Sequence, residues 1–108
     1  MRDRILIEKS LVPYSFDILL GSEWYGFEIH YNKMADLFTA TLSKDGEVLV
    51  FNEPIIYGMP LFADLYASGD YPALDIVAWD ESGQEKAVTY ENFNETVFLT
   101  IKQGDDDV

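Results

Sequence analysis

The chain holds a single imidazole, His30, and no thiol. His30 is the next-to-last residue of the stretch WYGFEIHY (24–31), two residues after Glu28, so on an extended chain the two side chains share a face. Nucleophilic catalysis asks for more: a nucleophile beside the histidine and a carboxylate that orients it. The serines fall in turns or on polar strand faces, without a nucleophile-elbow pattern. A cross-strand hydrogen bond or simple solvation is therefore the expectation for His30, and no catalytic residue is assigned.

Carboxylates are plentiful, with 20 acidic residues against 7 basic ones. Neither DDD at 105–107 nor WDESGQE at 79–85 has the spacing of a calcium loop. One histidine without cysteine is too few ligands for a typical zinc site. The seven glycines stand singly rather than as a phosphate-binding loop. The expectation is no metal and no cofactor.

Aromatic side chains make up 15% of the sequence, enough to raise the question of base stacking. A single-strand binding platform interleaves its aromatics with basic residues. Here Trp24, Tyr25, Phe27 and Tyr31 alternate with Glu23 and Glu28, and the formal net charge is −13. Such a surface is repelled by phosphates and by anionic lipid, so neither nucleic acid nor membrane is expected as a partner. No apolar run reaches the roughly 18 residues of a spanning helix. The N-terminus carries only Ile5–Ile7 as an apolar stretch, which does not read as a signal peptide. Synthesis in a host cytoplasm is the corresponding expectation.

The elements that position these residues are legible from alternation. Tyr14, Phe16, Ile18 and Leu20 share a face in 14–21; Tyr25, Phe27, Ile29 and Tyr31 do so in 24–31; Phe38, Ala40 and Leu42 do so in 37–43. Asp45-Gly46 supplies the two positive-φ residues of a type I′ turn, returning 47–51 antiparallel to 37–43. Residues 73–80 and 96–103 read as two more strands, with the polar loop TYENFNET (89–96) between them pinning Phe93 into the core. Three prolines and two glycines rule out one long element over 53–72, leaving a helical turn at PLFADLY or an extended crossing. The total is an all-β domain over 1–103, with six to seven short antiparallel strands, little helix and an acidic tail at 104–108. A small β-sandwich and a small barrel both fit. The stretch YNKMADLF (31–38) reads as a hairpin joint, with Asn32 tolerating a left-handed conformation and Tyr31 meeting Phe38 across it.

Residues 13–62 resemble a known family. The features are Pro13-Tyr14, the strand closing on Leu20-Gly21, the aromatic strand ending in Tyr31-Asn32, Asp36-Leu37-Phe38, the Asp45-Gly46 hairpin and Gly58-Met59-Pro60-Leu61. The pattern is similar to that of small all-β baseplate plug-like proteins of contractile-tailed phages and related prophages. The resemblance implies a virion structural protein of the tail baseplate or hub. Such a protein would contact other tail proteins, and possibly itself, and have no enzymatic activity.

An assembly part keeps apolar side chains on its free surface. Trp24, Tyr57, Phe62 and Trp79 are the candidates for that interface. The rival is a stand-alone ligand-binding barrel, which requires an internal cavity of about 300 Å³ or more lined by Phe27, Tyr31 and Phe38.

Overall fold

A computed structural model describes residues 3–20, 22–63 and 74–103. Its elements are β1 (Asp3–Ile5), a single 3₁₀ turn (Lys9–Leu11), β2 (Tyr14–Leu20), β3 (Glu23–Asn32), β4 (Leu37–Lys44), β5 (Glu47–Pro54), β6 (Leu74–Trp79) and β7 (Phe98–Gln103). They form two antiparallel sheets, ordered β2-β3-β4-β5 and β1-β7-β6. Each sheet keeps its own edges, so the fold is a sandwich and the barrel reading is set aside.

The expected alternation sets the core. Tyr25, Phe27 and Ile29 of β3 and Phe38, Ala40 and Leu42 of β4 are all buried. They join Ile5, Ile76, Ala78 and Leu99 of the other sheet in one cluster. Burying a side chain of this size contributes about 1.5–3 kcal/mol, and aromatic ring contacts add to that. Phe27 lies edge-on to Phe62 at 5.9 Å and stacks on Phe16 at 5.5 Å, while Phe38 meets Phe93 at 4.7 Å. Phe93 is buried, as the sequence predicts.

Among the described residues, the aromatics named for a ligand cavity pack against other rings instead. Phe27 and Phe38 are fully buried against other rings, and Tyr31 leans on Phe38 at 4.7 Å. The recess beside Tyr31 is bounded by the exposed Lys33 and Tyr90, so it belongs to the surface.

Three local features differ from expectation. In the β3–β4 joint the left-handed residue is Asp36, at φ 50°, and not Asn32. The Asn32 carboxamide instead accepts the N–H groups of Met34 (3.1 Å) and Ala35 (3.2 Å), closing the turn through its side chain. β5 runs on to Pro54, beyond the expected 47–51, because it carries two register shifts that break period-2 alternation. β1 is a strand that the short Ile5–Ile7 run did not announce; it pairs Asp3 with Ile101 through Ile5 with Leu99. The Asp45-Gly46 turn does take positive φ at both residues, 54° and 82°.

Residues 55–61 strap the two sheets together. Ile55 donates its N–H to Phe38 O (2.9 Å) on β4, whereas Gly58 and Leu61 donate to Ala78 O (3.0 Å) and Ile76 O (2.8 Å) on β6. Within PLFADLY, Leu61 and Phe62 form a turn and Ala63 is helical rather than extended; the rest of PLFADLY, and the 104–108 tail, lie outside the described residues.

Candidate protein-contact surfaces

The outward face of β2-β3-β4-β5 follows from strand parity. Ser15, Asp17 and Leu19 of β2 stand beside Glu28, Gly26 and Trp24 of β3, their register partners. At the hairpin end, Leu19 and Trp24 pair directly and remain 50% and 63% exposed, an apolar pair left in water. Gly26 packs closely on β4. A Cβ at that position would come within 2.5 Å of Ser43 Oγ, the hydroxyl of its partner on β4. Gly26 also borders a surface hollow of about 420 Å³, together with Ser15, Asp17, Glu28, Thr41, Ser43 and Val48. Thr41 at its floor is buried, and its hydroxyl both donates to Asn52 Oδ1 (3.2 Å) and accepts the Asn52 N–H (2.9 Å). Beside the hollow, His30 Nε2 lies 3.5 Å from Glu28 Oε1, an ion pair only when the imidazole is protonated.

A second cluster gathers at the opposite end of β3. The Tyr31 ring packs 4.7 Å from Phe38 and 5.1 Å from Tyr90. Its hydroxyl donates to Asp36 Oδ1 at 2.7 Å, and the same oxygen accepts the Tyr90 N–H at 2.9 Å. This hydrogen bond to a carboxylate pushes the Tyr31 phenol up to about 12 and holds Asp36 below its ordinary value. Lys9 closes the cluster, donating to Tyr90 O at 2.7 Å and standing over the Tyr90 ring at 5.1 Å. Met34, at the turn tip, is 99% exposed.

The carboxylates of WDESGQE are organised around Asp80, which is buried and serves the loop itself. Asp80 accepts the Ser82 hydroxyl (2.7 Å) and the N–H groups of Ser82 (2.9 Å), Gln84 (3.0 Å) and Glu85 (2.8 Å). The Ser82 hydroxyl, seconded by those N–H groups, lowers its pKa to about 2 against the opposing effect of burial. With its oxygens so engaged, Asp80 is a loop cap. Among the described residues no cluster of His, Asp and Glu could hold a metal ion.

The four candidate interface residues separate. Trp24 is exposed, as described. Tyr57 and Trp79 stack at 5.3 Å, half-buried, with the Tyr57 hydroxyl accepting the Asp80 N–H at 3.1 Å. Phe62 is a correction: it is fully buried and belongs to the core. Its backbone takes a left-handed φ of 62°, and its N–H donates to Glu53 Oε2 at 2.6 Å. The sequence reading also passed over Phe51, 73% exposed on the bulged β5. Alternation was the available signal there, and the two shifts erase it.

Residues 2–104 match the family model described as Cyanophage baseplate Pam3 plug gp18. The chain belongs to this family. The baseplate plug family is structural, which makes the protein a component of a phage tail baseplate and agrees with the resemblance carried by residues 13–62. The match spans both sheets of the sandwich, β1 and β7 included. A search of curated proteins finds no match.

Proposed function

We propose that this baseplate plug family member acts as a non-catalytic building block, held in the tail by protein–protein contacts. The observation that carries the reading is the family match over residues 2–104. Two features support it: apolar side chains such as Trp24 and Phe51 stand in water on a strongly acidic chain, and Asp80, a carboxylate with its pKa held at about 2, is spent on a loop. Exposed aromatics of this kind are the usual anchors of an interface, and net negative charge keeps copies apart before assembly.

The test is deletion of the gene from the phage or prophage that carries it, followed by electron microscopy of purified tails. Tails that lack density at the baseplate centre, restored by the gene in trans, are the expected result. Infectious particles with unaltered baseplates would overturn the reading.

A further inference from the structure

The four-stranded sheet ends in two edges of opposite character. β5 is blunted: its pairing with β4 shifts register between Ala40 and Leu42 and again between Leu42 and Ser43, Asn52 takes φ 50°, and the strand stops at Pro54. Bulges and proline are the ordinary means by which a sheet refuses another strand. β2 has none of them. Its seven residues pair with β3 in one unbroken register, from Tyr14 with Ile29 to Leu20 with Glu23, with no proline and no lysine. Among the described residues no strand pairs with its other side.

The side chains along this edge are unfinished on both faces. Phe16 and Ile18, turned to the core, are only half-buried, whereas the core residues Phe27 and Phe38 of the inner strands are fully covered. On the outer face Asp17 borders the hollow with Glu28, and Leu19 extends the exposed Trp24. A second copy is a poor occupant. Two β2 strands meeting antiparallel about their midpoint would set Asp17 against Asp17, on chains of net charge −13 each.

We infer that β2 is an open edge that receives an extended segment of another protein by strand addition. That segment places apolar residues beside Phe16 and Ile18, a lysine or arginine beside Asp17, and an apolar residue beside Leu19. Main-chain hydrogen bonds supply affinity in such a mode, and the alternating side chains supply selection. The inference rests on the assembly reading only for its donor, a neighbouring baseplate protein.

The probe is a synthetic peptide, Val-Tyr-Val-Lys-Val-Thr-Val with blocked ends, against a control with Glu in place of Lys. Titrated into isotope-labelled protein, the lysine peptide is expected to slow amide exchange within 15–19 and shift the Trp24 indole resonance. The glutamate peptide should bind at least about threefold more weakly, and Asp17→Lys, at an exposed site, should reverse the preference. Shifts centred on β5, no protection in β2, or indifference to the Lys–Glu exchange would overturn the inference. Protection of β2 that grows with protein concentration alone would also overturn it, by making a second copy the occupant. These outcomes are independent of the deletion experiment, so either reading can fail without the other.

Discussion

Asp36 and Tyr90, 54 positions apart, are joined through one carboxylate oxygen: Asp36 Oδ1 accepts the Tyr90 N–H at 2.9 Å while holding the Tyr31 hydroxyl at 2.7 Å. The turn between β3 and β4 is thereby fastened to the loop before β7. Asp36 reaches that position because it, and not Asn32, takes the left-handed conformation.

This fastening titrates at both ends. Asp36 is lowered from 3.8, so its contribution is present above that value and is lost as the pH falls through the folded-state pKa. Tyr31 is raised from 10.0 to about 12, so its contribution is full below pH 10 and is lost as the pH rises through about 12. The urea midpoint of Asp36→Asn should lie below that of the wild type at neutral pH, with the gap narrowing under acid. A gap that does not change with pH would remove the carboxylate from the explanation.

Asp80 should show the acid limb more steeply. Its pKa stands at about 2 against an ordinary 3.8, so its contribution is present above 3.8 and fades as the pH falls from there to about 2. Asp80→Ala strips four donors of their acceptor in the 82–85 loop. Hydrogen exchange at the amides of Ser82, Gln84 and Glu85 is expected to accelerate strongly. Unchanged protection of those three amides would show that the loop holds without its cap.

Gly26 and Ser43 offer a test of packing. Gly26→Ala sets a methyl 2.5 Å from the Ser43 hydroxyl, and forcing the pair apart costs on the order of 1 kcal/mol. Adding Ser43→Ala leaves the Ser43 Cβ at 3.8 Å, an ordinary contact, and should return most of the loss. Chemical denaturation of the two single variants and the double variant measures the coupling; strict additivity would argue against the contact.

Trp24 and Phe62 were equivalent candidates in the sequence and are opposites in the structure. Phe62→Ala removes a fully buried ring beside Phe27 and should cost about 3–5 kcal/mol. Trp24→Ala, at a 63% exposed position, should change stability by no more than about 0.5 kcal/mol while lowering incorporation into tails. A large stability loss for Trp24→Ala would place its role within the monomer.

These contrasts mark what was readable in the residues. Alternation identified the core faces of β2, β3 and β4, because the apolar residues of those strands recur every second position over a one-sided core, although Thr41 on the outer face of β4 is buried as well. The same rule failed at β5, where two register shifts turn Phe51 outward, and it was silent for β1, three residues long. Exposure at the candidate residues was half legible: Trp24 shares the polar side of β3 with Glu28 and His30, so parity alone puts it in water. Phe62 has no such periodicity around it, and its burial is decided by residues far along the chain.

The pairing of β1 with β7 has a consequence for the order in which the molecule forms. β2 to β5 are consecutive hairpins whose partners lie close in sequence, so their sheet can assemble as a local unit. The other sheet needs Asp3 to find Ile101 and Ile5 to find Leu99 across nearly the whole chain. On a ribosome that sheet cannot close until β7 has emerged, so the half-finished protein carries the uncovered core face of the four-stranded sheet. Among the described strands, β7 is both the last in sequence and the one that completes the sandwich.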